Sequence, residues 1–144
     1  MVLTSLLAGC GGGSSVPPAR QRAAIRATVR TFMRELAIAN GKVACEGLTV
    51  AGSQSVIATI GPELGNFGIN SCAQVVSLTG GQLSAALRRE LASVTVGAVA
   101  LHGSNATVRW SAVTSRFGDV AAYFGHPKAM ILSEIRGFWY INRL

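Results

Sequence analysis

Acidic side chains are scarce in this chain of 144 residues, where six Asp and Glu face thirteen Lys and Arg. Charged residues of either sign make up only 13%, and apolar ones 49%, so disorder of the whole chain is excluded. No stretch approaches the roughly 18 to 20 consecutive apolar residues that a membrane-spanning helix needs. The longest such run in the body of the chain, Val94 to Leu101, has the texture of a strand. Aromatics are few, at 6%, and are not interleaved with the basic residues. Base stacking on single-stranded nucleic acid is therefore not expected, and we read no nucleic-acid partner. Only two histidines occur, His102 and His126, and neither lies near a cysteine in sequence. The pattern gives no metal site, and no cofactor is expected. Gly11-Gly12-Gly13 is followed by no Lys-Ser/Thr and opens no βαβ unit, which removes a nucleotide loop.

What is present begins with the charge surplus. The formal net charge is +7, and eleven of the thirteen basic residues are Arg, all of them after Cys10. Such a surplus favours anionic surfaces and says nothing about fold. The length suits one well-packed domain.

The opening runs Met-Val-Leu-Thr-Ser-Leu-Leu-Ala-Gly-Cys and then Gly11-Gly12-Gly13-Ser14-Ser15. An apolar segment that passes into small residues and a cysteine resembles the lipobox of bacterial lipoproteins, with Leu7, Ala8, Gly9 and Cys10 matching position by position. The resemblance implies cleavage before Cys10 and diacylglycerol on its sulfur. The apolar run, Val2 to Ala8, is short for a signal and has no Lys or Arg ahead of it. The division expected is a signal peptide over 1–9, a lipidated tether over 10–18 and a domain over 19–144. About ten Gly/Ser-rich residues have a typical end-to-end distance of about 17 to 19 Å, which keeps the domain against the headgroups of an extracytoplasmic membrane surface.

Cys45 and Cys72 remain. In an exported domain an even pair reads most simply as a disulfide contributing roughly 3 to 4 kcal/mol, with two buried free thiols as the alternative.

Pro18 suits a helix's first turn and Asn40-Gly41 its end, so Ala19 to Ala39 is predicted as one long helix. Ile25, Val29, Phe32, Met33 and Leu36 form its apolar stripe. Arg22, Arg26, Arg30 and Arg34 recur every four residues beside it. They are read as a solvated face whose stems cover apolar surface, with contact to anionic headgroups as the functional alternative. Short helices are predicted near Val43 to Leu48, Ser55 to Ile60, Cys72 to Leu78 and Gln82 to Leu91, with an irregular loop over Gly61 to Ser71. Strands follow at Val94 to Leu101, Ala106 to Thr114, Ala129 to Ile135 and Phe138 to Arg143, and Arg116 to Lys128 is a loop. Helices followed by strands give an α+β fold: N-terminal helices packed on a curved, cone-like C-terminal antiparallel sheet of about four strands.

The opening "AIRATVRTFMRELAIANGKVACEGL" and the ending "IRGFWYINRL", with Gly137-Phe138-Trp139, resemble the nuclear transport factor 2-like, or SnoaL-like, superfamily. The resemblance covers roughly 19–144 and implies a cone around an apolar pocket. Members include isomerases and cyclases as well as proteins that only bind or assemble, so the fold leaves the chemistry open. Enzymatic members place an Asp, His or Tyr in the pocket as a base. Here Asp119, Tyr123 and His126 are candidates to converge at a pocket mouth. Glu134 is either a buried acid or an outward strand residue. None matches the family's catalytic positions. The leading expectation is a non-catalytic, lipid-anchored cone domain that binds an apolar small molecule or an envelope protein. An isomerase or cyclase-type enzyme acting on such a ligand is the alternative, and a homodimer through the open face of the sheet is a third reading. Trp110 and Trp139 read as core.

Overall fold

The computed structural model describes residues 16–65 and 68–144. The expected signal, Cys10 and most of the expected tether lie outside these residues. Six helices, α1 (Pro18–Ala37), α2 (Gly41–Glu46), α3 (Val50–Ile60), α4 (Cys72–Gln82), α5 (Ala85–Ala92) and α6 (Val120–Tyr123), surround an antiparallel sheet. The strands are β1 (Thr95–Val96), β2 (Ala100–His102), β3 (Asn105–Arg109), β4 (Val113–Thr114), β5 (Ala129–Ile135) and β6 (Phe138–Arg143). The order β2-β3-β5-β6 forms one sheet, and β1 pairs with β4 beside it. The expected α+β class is the one observed.

Pro18 opens α1 where a missing N–H costs nothing. The predicted stripe Ile25, Val29, Phe32, Met33 and Leu36 is buried. The helix ends earlier than expected. Ala39 takes a left-handed φ of 60°, while Asn40 caps α2 by accepting from the Val43 N–H and Gly41 begins that helix. The buried Glu35 ties the two helices together, with Oε1 accepting from Arg34 Nε at 3.0 Å and Oε2 from Asn40 Nδ2 at 2.8 Å. Burying a carboxylate is costly unless each oxygen has such partners. The double glycine at 80–81 was expected to break the chain, yet α4 continues through it. A Cβ at Gly80 would overlap the Leu36 carbonyl oxygen, so the glycine permits α4 to lie directly on α1.

Two long predicted strands are each broken in two. The Gly97 and Val99 carbonyls accept from Arg26 Nε at 3.0 Å and Arg22 Nε at 3.3 Å, which turns the segment between β1 and β2 towards α1. On the partner side, Trp110–Ala112 forms a 3-10 turn. The chain from Gly61 to Leu64 is likewise a 3-10 turn, where an irregular loop was expected. Within the loop expected over Arg116 to Lys128, Asp119 Oδ1 accepts from the Ala121 and Ala122 N–H groups and nucleates α6.

Opposed residues share a face. Ala106 faces Leu132 and Leu132 faces Ile141, while Val108 faces Met130, all buried against α1 in one core with Phe32 and Met33. That inner face is therefore filled by side chains. The outer face carries His102, Asn105, Ser133 and Tyr140 in one row across the sheet. Trp110 and Trp139 are core residues, as expected.

Candidate functional site

The rim where α3, α4, α5 and α6 meet borders an open recess of about 400 Å³. Each wall has a local cause. Pro62 starts the 3-10 turn that follows α3, which buries Leu64 and leaves Glu63 at the surface. The last turn of α4 supplies Thr79 and Gln82. The Ser84 hydroxyl caps α5 through the Leu87 N–H, fixing Leu83 and Leu87 on either side of the cap. Tyr123, the last residue of α6, closes the wall. Its ring meets Phe124 edge-on at 4.9 Å between centroids, and Phe124 lies against Trp110 at 4.6 Å. The tyrosine is thus braced by the core.

Two polar side chains belong to its wall. Burial first, and the Glu63 carboxylate second, push the Tyr123 phenol up to about 12. It therefore stays protonated and offers a hydrogen-bond donor at any physiological pH. Thr79 is buried, and its Oγ1 has no hydrogen-bond partner among the described residues. An unpaired buried hydroxyl costs about 1 to 3 kcal/mol, and this one lies behind the wall of the recess. Ile60, Leu64, Leu83 and Leu87 supply the apolar remainder. An amphipathic molecule with comparable apolar and polar parts matches such a lining.

The sequence candidates divide between places. Asp119 and His126 come together, with His126 Nδ1 3.8 Å from Asp119 Oδ2, and both line a separate groove of about 430 Å³ with Trp110, Ser115 and Lys128. The pair is open to solvent, its side chains 63% and 67% exposed, and Asp119 is already engaged as the cap of α6. Tyr123 does not join them, because α6 turns it into the first cavity. Glu134 is half-buried on the inner face opposite Trp139 and lines neither space. Trp110 Nε1, beside the groove, is buried and has no hydrogen-bond partner among the described residues.

Cys45 and Cys72 form a disulfide with an S–S distance of 2.02 Å, joining α2 to the start of α4. Of the four arginines, Arg22, Arg26 and Arg34 use Nε inside the fold. Arg30 is exposed and makes no side-chain hydrogen bond among the described residues. No group of three His, Cys, Asp or Glu assembles among the described residues, and no described helix is long and apolar enough to cross a membrane.

Glu63, Thr79, Leu83 and Leu87 escaped sequence reasoning, since they come from separate helices with ordinary composition. The one available signal was Gly61-Pro62, which marks the turn but not what it faces. Compared with family models, with curated proteins and with solved structures, the chain matches none.

Proposed function

We propose that this chain is an exported, lipid-anchored envelope protein whose domain binds a small amphipathic molecule in the Tyr123 cavity without transforming it. The observation that carries the binding reading is a recess of about 400 Å³ in which Ile60, Leu64, Leu83 and Leu87 stand beside the Tyr123 side chain and the polar groups of Glu63, Gln82 and Ser84. The order of helices followed by an antiparallel sheet agrees with the α+β class that the nuclear transport factor 2-like resemblance implies, but the recess lies among helices and not in the sheet's filled inner face. The Cys45–Cys72 disulfide supports an oxidising compartment. The enzymatic alternative would run through Asp119 and His126, and we place it second because their exposure leaves both in water.

The test of binding is a fluorescence titration with 1-aminoanthracene, an apolar body bearing one polar head. Saturable binding is expected in the wild type, and Leu87→Trp, which fills the space, should weaken it at least about tenfold. Absence of saturable binding, or binding untouched by Leu87→Trp, would remove the proposal. The anchor is read separately by intact mass and membrane fractionation beside Cys10→Ala. A diacylated chain beginning at Cys10 supports it, and an unmodified chain retaining Met1 sinks it.

A further inference from the structure

The β5–β6 hairpin ends in an exposed tip whose composition its backbone does not explain. Ile135 and Phe138 are register partners on the outer face, 46% and 68% exposed, and Arg136-Gly137 connects them. Both connecting residues have positive φ, 52° at Arg136 and 84° at Gly137, the geometry of a two-residue primed turn. Such a turn favours Asn, Asp or Gly at its first position, so an arginine there opposes the local preference. Phe138 beside it is the most exposed phenylalanine among the described residues.

We infer that this tip is a membrane contact, in which Ile135 and Phe138 enter the interfacial layer of an anionic bilayer and Arg136 meets its headgroups. The inference rests on the lipid-anchor reading for its setting. Arg136 forms no ion pair among the described residues, and the nearest acid in the chain, Glu134, is half-buried on the opposite face. The neighbouring turn, joined through the Glu134 N–H and Ser104 carbonyl at 2.7 Å, brings His102 and no acid. The charge therefore suits headgroup phosphates. Reach agrees with this. Trp139, next to Phe138, accepts through its carbonyl from Thr28 Oγ1 at 3.2 Å. Thr28 lies about 15 Å along α1 from Pro18, and the residues back to Cys10 span up to about 25 Å when extended. Two side chains also fall far short of the roughly 800 Å² per partner that a stable protein interface buries, which argues against a second copy as the occupant.

The test couples the full chain through Cys10, the single cysteine outside the Cys45–Cys72 disulfide, to vesicles of phosphatidylglycerol carrying a maleimide lipid. Amide hydrogen exchange at residues 135–138 is compared with the same chain capped by free maleimide. On vesicles it should slow at least about tenfold, and Ile135→Ser with Phe138→Ser should reduce the difference to about twofold or less. Arg136→Glu should remove most of it. These side chains are exposed, and the thermal midpoint of each variant reports that it has folded. Unchanged exchange on vesicles, or equal slowing in the Ile135/Phe138 variant, would overturn the inference. So would slowing that grows with concentration in the capped chain, which would assign the tip to a second copy. Chemical coupling supplies the tether, so this result stands apart from whether cells acylate Cys10.

Discussion

Tyr123 stands edge-on to Phe124 at 4.9 Å between ring centroids, and its side chain lines the helical recess, not the groove that holds Asp119 and His126. The hydroxyl is the first place where the account can be measured.

With its folded value raised to about 12 against an ordinary 10, Tyr123 loses its proton in the unfolded chain before it does in the folded one. Stability should be intact below pH 10 and fall as pH rises through about 12, where the folded phenol also ionises. Tyr123→Phe should flatten that decline. Ultraviolet phenolate titration of wild type and variant, with denaturant unfolding at each pH, checks both statements. A decline of equal steepness in Tyr123→Phe would refute them.

Thr79→Val removes the hydroxyl that lacks a partner while keeping the shape. The protein should gain about 1 kcal/mol in denaturant unfolding, with binding of 1-aminoanthracene unchanged. A destabilised variant would mean that the hydroxyl has a hydrogen-bond partner in solution.

Glu35→Ala leaves the Asn40 amide unpaired and separates α1 from the cap of α2. A loss of about 2 to 3 kcal/mol in denaturant unfolding is expected, against about 0.5 kcal/mol for Arg34→Ala, whose side chain is 58% exposed. Equal effects would show that the ion pair, not the carboxylate's burial, carries the joint.

Replacing Cys45 and Cys72 together by Ser should cost roughly 3 kcal/mol, because the loop between them is freed in the unfolded chain. Denaturant unfolding of the double variant checks it. A loss below about 1 kcal/mol would mean that packing of α2 on α4 already fixes this joint.

The parts of the fold legible in sequence were those governed by local periodicity. Ile25 to Leu36 repeat at helical spacing and pack where that spacing puts them. The alternation from Ala129 onward yields β5 and β6 with the expected bounds. Legibility failed where a distant side chain captures the backbone. Gly97 and Val99 look like strand interior until Arg26 and Arg22, more than seventy residues earlier in sequence, draw off their carbonyls. Those arginines carried a second lesson. A four-residue repeat marks one helix face but does not say whether a guanidinium meets solvent or a carbonyl. Asp119 was seen as a candidate base, whereas its carboxylate spends one oxygen capping α6. The cavity was invisible because Ile60, Thr79, Leu87 and Tyr123 share no motif, only a place.

The binding claim is tested most directly by methyl NMR of the full chain titrated with 1-aminoanthracene. The account expects the largest shifts at Ile60, Leu64, Leu83 and Leu87, with little change at Val113 and Val120 beside the Asp119–His126 groove. Shifts concentrated at Val113 and Val120, or none that saturate, would contradict it and return the search to the groove.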